Sequence, residues 1–266
     1  MASEAHVIGV RVDPVTYDDV VDRICRWAAA GESRYVCAAN VSMLVEARAD
    51  PQFHDILEQA DVVTPDGMPL VWELRRSGHS QPARVYGPDL TLAVCERAAR
   101  AGIPVGFIGG DTATLNSLVA ALTRRFDGLQ IVYAHSPPFR SATRHEAEAI
   151  MTAIIASGLQ ILFVGLGCPK QERWMAAHRG QLPAVMLGVG AAFDFLSGHK
   201  RQAPHWMQRR GLEWLFRLLA EPHRLAKRYA HDIPRYAAYV LAERWPIRRR
   251  RGVVVAVLGP DGCGKD

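Results

Sequence analysis

Short runs of apolar residues alternate with amphipathic stretches along the first two-thirds of the chain. The apolar runs, each predicted to form a strand, are Tyr35–Ala38, Asp61–Thr64, Pro104–Ile108, Gln130–Ala134, Gln160–Val164 and Ala184–Val189. Between them, segments such as Asp89–Ala101 and Arg144–Ser157 place apolar residues at spacings of three and four, which is typical of helices that bury one face. This alternation predicts an α/β fold, a Rossmann-like and mostly parallel sheet with helices on both faces.

Residues with distinctive backbone preferences mark where several of these helices should begin and end. Glycine readily adopts the left-handed conformation that closes a helix, whereas Asp and Pro suit its first turn. Helix ends are therefore predicted near Gly102, Gly128 and Gly158, and helix starts at Asp50-Pro51 and at Asp111.

The pattern changes after about Phe195, where no strand-like run follows. This segment is predicted to form two or three helices interrupted at Pro222 and Pro234, with each proline in the first turn of the next helix. We therefore divide the chain into a Rossmann-like core (residues 1–195), a helical appendage (residues 196–246) and a terminal segment (residues 247–266).

Charge is distributed unevenly between these parts. The formal net charge is +5, yet residues 1–196 hold 17 Lys/Arg against 21 Asp/Glu, and residues 197–251 hold 14 against 4. An acidic body with a basic appendage argues against a uniformly basic nucleic-acid-binding protein. The four arginines at 248–251 are interpreted as a solvated basic linker.

Composition narrows the functional classes further. No stretch reaches about 18 consecutive apolar residues, and the first residues lack the pattern of a signal peptide. The five cysteines are scattered without a CxxC pair, which favours reduced thiols in a cytosolic protein over a disulfide framework. Neither HExxH nor a DxD carboxylate pair occurs, so no metal and no other cofactor is predicted.

The terminal segment ends in VVVAVLGPDGCGKD, where an apolar run precedes the outline of a phosphate-binding loop at Gly259–Lys265. Asp266 stands where Ser or Thr would bind Mg²⁺. We interpret this segment as the start of a truncated kinase-like domain, and a disordered tail is favoured over a working site.

Unusual residues follow five of the predicted strands. In parallel α/β sheets ligands bind beyond the carboxyl ends of the strands, so these five positions should meet along one edge. They are Asn40, the Thr64–Gly67 turn, Gly109-Gly110-Asp111, the Gly165–Glu172 segment, and Gly188–Gly190 leading to Asp194. Their expected convergence is a stronger indication of a binding site than any single motif.

Asp66 is the candidate catalytic carboxylate. It follows an apolar run within Pro65-Asp66-Gly67, a turn that could project a general base able to deprotonate a hydroxyl. The alternative, which spacing alone favours, is an ordinary turn in which the aspartate side chain binds its own backbone.

Two glycine-containing turns could bring a diphosphate close to the backbone. Gly109-Gly110 and Gly165-Leu166-Gly167 each precede a predicted helix, whose free N–H groups favour an anion. Neither turn is a complete GxGxxG, and glycine is common in such turns. Lys170, Gln171 and Arg84 could add donors for phosphate or uracil oxygens.

The appendage combines cations with aromatic residues. Arg217, Arg224 and Arg228 are spaced seven and four apart, so they would share a face if the helix continued past Pro222. Interleaved Trp, Tyr and Phe side chains suit contact with an anionic lipid surface. Ordinary helix packing with a charged outer face is the alternative, and RNA binding is a weaker one.

Several longer strings make a family resemblance specific. Asn40, TPDG at 64–67, GPDL at 87–90, GLGCPKQERW at 165–174, GVGAAFDFLSGHKRQAP at 188–204 and GLEWLFRLLAEPHRLAKRY at 211–229 together resemble the WecG/TagA/CpsF glycosyltransferase family. The similarity is collinear over residues 7–230, and the phosphate-loop-like segment lies outside it.

The resemblance implies a metal-independent, inverting enzyme that moves a sugar from a UDP-sugar to a polyprenyl-diphosphate-linked sugar. Such an enzyme would be cytoplasmic and peripherally bound to the inner face of the cell membrane, with no nucleic-acid partner. Asp66 would be the general base, the glycine turns would bind UDP, and the C-terminal arginines would engage the lipid diphosphate. The substrate-binding residues expected are Asn40, Gly67, Arg84, Gly109, Gly110, Asp111, Gly165, Gly167, Pro169, Gln171, Glu172, Gly190, Asp194, Arg217, Arg224 and Arg228.

Two departures from the family pattern leave the transferred sugar open. The family often has Thr where Ala38 stands, and GSDL where this chain has GPDL. The transferred sugar is therefore N-acetylmannosamine, a uronic acid or another hexose. The oligomeric state is a separate open point, and a homo-oligomer is one alternative. A Rossmann-type nucleotide-dependent oxidoreductase and a non-catalytic membrane- or RNA-binding protein are the rival classes. The first βα unit lacks GxGxxG, which argues against the oxidoreductase.

Overall fold

The computed structural model describes residues 5–79, 82–138, 140 and 142–244. The strands are β1 (His6–Val7), β2 (Val10–Arg11), β3 (Arg34–Ala39), β4 (Val62–Pro65), β5 (Val105–Gly109), β6 (Ile131–His135), β7 (Ile161–Gly165) and β8 (Val185–Gly188). The helices of the core are α1 (Tyr17–Ala29), α2 (Val41–Ala49), α3 (Pro51–Glu58), α4 (Met68–Arg76), α5 (Gly87–Ala101), α6 (Thr112–Arg125), α7 (Arg144–Ala156), α8 (Lys170–His178) and α9 (Ala192–Leu196). The helices of the appendage are α10 (His205–Arg209), α11 (Glu213–Ala220) and α12 (Pro222–Arg244).

The predicted α/β fold is confirmed. Six strands form one parallel sheet in the order β4-β3-β8-β7-β5-β6. Each of the six predicted apolar runs overlaps one of these strands. The short antiparallel hairpin of β1 and β2 was not predicted, because two residues per strand are too few to show a period.

The central strands are buried on both faces, and this is why they are apolar without interruption. In β7, Leu162 and Val164 face one core together with residues of α2, α3 and α8, whereas Ile161 and Phe163 face a second core with residues of α1, α5 and α6. The two cores explain why helices cover both sides of the sheet.

Side-chain caps fix several of the helix boundaries, as predicted. The side chain of Asp111 accepts a hydrogen bond from the Thr114 N–H at the start of α6, and Asp50 caps α3 ahead of Pro51. Gly102 closes α5 in the left-handed conformation, with φ of 66°. Local capping residues therefore set these three boundaries, and the one at Asp111 fixes the turn that follows β5 at the carboxyl edge of the sheet.

The prolines of the appendage behave differently from each other. Pro222 begins α12 as predicted, but the prediction that Pro234 begins a further helix is wrong, because α12 continues through Pro234 to Arg244. A proline inside a helix costs about 3 kcal/mol through one lost hydrogen bond and a steric clash. Packing on both sides of it opposes that cost, since Asp232 and Val240 of α12 are buried.

Helix α12 is attached to the core through residues near its C-terminal end. Val240 belongs to the same hydrophobic core as α2. Near the end of α12, Glu243 accepts a hydrogen bond from the Ile8 N–H at 3.2 Å, and Arg244 pairs with Glu73 of α4 at 2.6 Å. The appendage is therefore docked on the core.

Two of the predicted features belong to the terminal segment of the chain. The basic linker at 248–251 and the phosphate-loop-like segment lie outside the described residues. Among the residues that are described, no helix combines the length and the apolar character needed to cross a bilayer.

Candidate active site

A cavity of about 490 Å³ lies at the carboxyl ends of β3, β4, β7 and β8, between the core and the appendage. Its lower wall consists of the loops that follow these strands, and α11 and α12 supply the opposite wall. The position agrees with the general rule for open α/β sheets. The site thus requires both parts of the chain.

The cavity brings together many, but not all, of the residues that the sequence singled out. Those that line it are Asn40, Asp66, Gly67, Arg84, Gly167, Gln171, Gly190, Arg217, Arg224 and Arg228. Those that do not line it are Gly109, Gly110, Asp111, Gly165, Pro169, Glu172 and Asp194. The expected convergence therefore holds for the β3, β4 and β8 loops, and for part of the β7 loop.

Asp66 stands directly after β4 and is partly accessible through the cavity. Its carboxylate accepts a hydrogen bond from the Gly87 N–H at 3.3 Å, so it binds a different loop and not its own turn. Dense surrounding protein removes water from the carboxyl group, and this desolvation raises the pKa of Asp66 to about 7, against the opposing charge of Arg84. The negative charge of Glu213 contributes to the same upward shift.

Arg84 connects the core to the appendage. Its Nε donates to the backbone carbonyl of Asp66 at 2.6 Å, its Nη1 donates to Gln208 of α10 at 3.1 Å, and its Nη2 pairs with Glu213 of α11. The guanidinium also lies 4.1 Å from the ring centre of Tyr86. Arg84 was expected to donate hydrogen bonds to a phosphate. Because its donors already bind protein groups, a phosphate would have to compete with Glu213 for the guanidinium.

Gln171 and Glu172 form a buried pair under the cavity. Gln171 Nε2 donates to Glu172 at 2.6 Å, and Gln171 Oε1 accepts the Gly190 N–H at 3.1 Å. Glu172 lies behind Gln171 and is fully buried, and this desolvation raises its pKa to about 7. Glu172 therefore orients Gln171, while Gln171 itself lines the cavity.

The turns after β5 and β7 meet each other instead of opening into the cavity. A Cβ atom placed on Gly109 would lie 2.4 Å from the carbonyl oxygen of Gly165, and one on Gly165 would lie 2.7 Å from the Phe193 ring. Gly110 donates its N–H to Gly165 at 3.3 Å. Asp111 caps α6 beside them. Close backbone packing thus accounts for the glycines in these turns.

The three arginines of the appendage reach the cavity from two helices. Helix α11 ends before Glu221 and α12 begins after it, so Arg217 lies on a different helix from Arg224 and Arg228. The continuous helix that would have aligned the three arginines on one face does not form. Arg224 pairs with Glu221, and Arg228 lies 3.5 Å from Asp232. Their convergence is a consequence of the fold and not of one helical face.

Asp194 has a contact of its own away from the cavity. Its carboxylate pairs with Lys200 at 2.8 Å, and Lys200 also lies 3.4 Å from Glu221. These ion pairs link the segment that follows β8 to the break between α11 and α12. The structure therefore places Asp194 behind the wall that carries Arg224.

Several cavity residues escaped the sequence reasoning. They are Tyr86, Phe195, Gln208 and Glu213. Trp214 and Tyr229 were among the interleaved aromatic residues expected at a lipid surface, and they line the cavity. Aromatic residues in amphipathic segments are indistinguishable from ordinary packing residues in one sequence. Only its position inside the distinctive GLEWLFR string could have drawn attention to Glu213.

In the part of the chain that the structure describes, no group of three or more His, Cys, Asp or Glu side chains could hold a metal ion. Among the same residues, the polar groups at the cavity are the carboxyl groups of Asp66, Glu213 and Asp232, of which that of Asp66 has a raised pKa, together with amide groups, hydroxyl groups and four guanidinium groups. This set suits an anionic substrate and a proton transfer.

Comparison with protein-family models gives one match that spans the fold. The model described as the Glycosyl transferase WecG/TagA/CpsF family matches residues 5–250. The match includes the sheet, the cavity loops and the whole of the described appendage. The chain therefore belongs to the WecG/TagA/CpsF family of glycosyl transferases, which synthesise cell-surface polysaccharides from a nucleotide-sugar donor and a lipid-linked acceptor.

Proposed function

We propose that this protein transfers a sugar from a UDP-sugar to a polyprenyl-diphosphate-linked sugar, with inversion and with Asp66 as the general base. The observation that carries the proposal is the carboxyl group of Asp66, which lines the cavity and whose pKa is raised to about 7. A base with a pKa near neutrality can accept a proton at physiological pH and is strong enough to assist a hydroxyl. The oxidoreductase alternative is set aside, because the family is one of transferases.

The reaction can be written with its atoms balanced. The acceptor hydroxyl attacks the anomeric carbon of the donor sugar as its proton passes to Asp66. The bond between that carbon and the diphosphate oxygen breaks, and UDP leaves with the electron pair. Inversion follows because the hydroxyl enters on the face opposite the leaving diphosphate.

Positive charge at the cavity would engage the lipid diphosphate of the acceptor, as the resemblance implies, and would also stabilise the departing diphosphate of UDP. Arg217, Arg224 and Arg228 line the wall formed by the appendage. Guanidinium groups bind phosphate oxygens in a bidentate manner and retain their charge at every physiological pH. We therefore propose that arginines perform the electrostatic task without a divalent metal ion.

The appendage also supports a location at the inner face of the cell membrane. Trp206 of α10 is 52% exposed and Leu219 of α11 is 73% exposed. Both lie in the segment where basic residues outnumber acidic ones. Exposed Trp and Leu beside cations favour an interface with anionic lipid, where a polyprenyl acceptor resides.

A product assay tests the proposal directly. The protein is offered UDP-N-acetylmannosamine, a UDP-hexuronic acid, UDP-glucose and UDP-galactose with a prenyl-diphosphate-GlcNAc acceptor, and products are identified by mass spectrometry. We expect one donor to be consumed, with turnover unchanged by EDTA and higher on anionic than on zwitterionic vesicles. Absence of product from every donor, while NAD raises the melting temperature and UDP does not, would overturn the transferase proposal.

A further inference from the structure

Tyr86 has a buried hydroxyl group that plays no part in the proposed sugar transfer. The residue is 4% exposed and lies in the wall of the cavity, yet its hydroxyl has no hydrogen-bond partner in the described part of the chain. Burying a hydroxyl without a partner destabilises the folded protein, because the group loses its hydrogen bonds to water. An unpaired donor of this kind in a cavity wall is a candidate contact for an acceptor atom of a bound water or ligand.

The position of the Tyr86 ring is fixed by its neighbours. Its backbone N–H donates to the Tyr17 hydroxyl at 2.8 Å, and its ring packs 4.1 Å from the Arg84 guanidinium and 6.4 Å from the Phe195 ring. Burial, with the negative charges of Glu213 and Asp66, raises the pKa of Tyr86 far above its usual range. The hydroxyl therefore stays protonated and can act as a donor.

Arg217 presents a second donor without a partner, beside the Phe195 ring that also packs near Tyr86. Its Nε is buried and has no acceptor among the described residues. Its guanidinium lies 5.6 Å from the ring centre of Phe195, and its positive charge acts on the Tyr86 hydroxyl. Two unpaired donors, one of them on a guanidinium group, suit an acceptor oxygen that carries negative charge.

We infer that Tyr86 contacts substrate, and that its hydroxyl and Arg217 together bind one anionic oxygen, from a phosphate or a carboxylate. The inference rests on the proposed function only in placing an anionic substrate in this cavity. Both donor atoms are covered by neighbouring side chains in the present arrangement. A small outward shift of α11 would admit the oxygen; α11 has no fully buried residue, and the shift would act mainly against the pair between Arg84 and Glu213.

Removal of the Tyr86 hydroxyl should therefore affect stability and ligand affinity in opposite ways. Tyr86→Phe relieves an unsatisfied group in the free protein, so its melting temperature should stay equal or rise. The same change removes a bond to the ligand, so affinity should fall about tenfold. A residue that serves packing alone would show neither a change in affinity nor this combination.

The chain offers a matched control in Tyr133 of β6. Its hydroxyl is also buried and without a partner among the described residues, but it lies outside the cavity. Tyr133→Phe should affect the melting temperature in the same direction and leave affinity unchanged. Tyr35→Phe is the opposite control, because the Tyr35 hydroxyl donates to the Ile56 carbonyl at 2.6 Å, and its loss should lower the melting temperature.

Four probes distinguish the possible sources of the oxygen by calorimetry: UDP, UDP-glucose, UDP-glucuronic acid and farnesyl diphosphate. If Tyr86→Phe binds both UDP and UDP-glucose more weakly than wild type does, the oxygen belongs to the donor diphosphate. If only UDP-glucuronic acid binds more weakly, the oxygen belongs to a sugar carboxylate. If only farnesyl diphosphate binds more weakly, the oxygen belongs to the acceptor. In the last case the inference stands even if the wild-type protein binds no UDP compound, which would contradict the proposed donor. Equal affinity of Tyr86→Phe and wild type for every probe overturns the inference, as does a wild-type protein that binds none of the four.

Discussion

Two parts of the same sheet edge begin from similar sequence and end with different surroundings. The turns after β5 and β7 meet at a closed corner, made of Gly109, Gly110, Gly165 and Phe193, where backbone packs against backbone and ring. The open side consists of the loops after β3, β4 and β8, with Gly167 from the β7 loop, and it faces the cavity.

Glycine has a different task in each place. A Cβ atom on Gly167 or Gly190 would meet no atom within 4 Å, although both residues have positive φ. On Gly109 it would collide with the backbone of Gly165. A glycine in a βα turn therefore signals either space for a ligand or close internal packing, and the structure is needed to separate these tasks.

The largest expected effect concerns Asp66 on the open side. Asp66→Asn keeps an oxygen for the Gly87 N–H but cannot accept the proton of the acceptor hydroxyl. We expect turnover to fall on the order of 10²–10⁴-fold while UDP binding survives. Steady-state kinetics with calorimetry of UDP binding will measure this, and Asp55→Asn, 73% exposed on α3, is the matched control. Near-normal turnover of Asp66→Asn would remove Asp66 from the mechanism.

The next effect tests the closed corner. Gly109→Ala combines an unfavourable φ of 125° with the collision against Gly165, so the free energy of unfolding should fall by about 2–5 kcal/mol. Gly167→Ala incurs only the backbone strain of φ 80°, about 1–2 kcal/mol. Denaturant unfolding of both variants will measure the difference. Equal losses would show that the corner is as open as the cavity side.

A smaller effect should appear in the pH dependence of stability. The pKa of Asp66 rises from 3.8 to about 7 on folding, so the native state holds more protons between these values and stability falls as pH rises through them. Asp66→Asn removes this dependence, and the variant should exceed wild type by about 1–3 kcal/mol at pH 8 and match it near pH 4.

Glu172 provides an independent comparison away from the solvent-accessible part of the cavity. Its pKa is raised to about 7 by the same kind of desolvation, so Glu172→Gln should remove a similar part of the pH dependence. Urea unfolding between pH 4 and 8 measures both variants. A wild-type stability that increases across this range would contradict the raised pKa values.

The smallest effect concerns the link between the core and the appendage. Glu213 helps to raise the pKa of Asp66, so Glu213→Gln should move the acidic limb of kcat/KM to lower pH, by less than about 1 unit. Glu73→Gln is the matched control, because it weakens the attachment of Arg244 on α12 at a site remote from Asp66. Its pH profile should coincide with that of wild type, and a shift as large as that of Glu213→Gln would indicate a general loosening of the appendage.

Most of the fold was accessible from the sequence, and part of the site was. The six apolar runs, the cap at Asp111 and the end at Gly102 are local signals, and each corresponds to an observed element. Asp66 was identified by its position after a strand. Pro234 misled the prediction because the local cost of a proline is outweighed by packing of α12 on the core, which no local pattern reveals.

The sequence by itself determined the α/β architecture, the edge of the sheet where ligands should bind and the identity of a carboxylate at that edge. These follow from periodicity and from short-range hydrogen bonds, which act within a few residues. The tertiary structure alone decided which glycines are closed, which cations reach the cavity and why the pKa of Asp66 is raised. Those properties depend on contacts such as that between Arg84 and Glu213, which are 129 residues apart, and on the exclusion of water by the protein that surrounds Asp66.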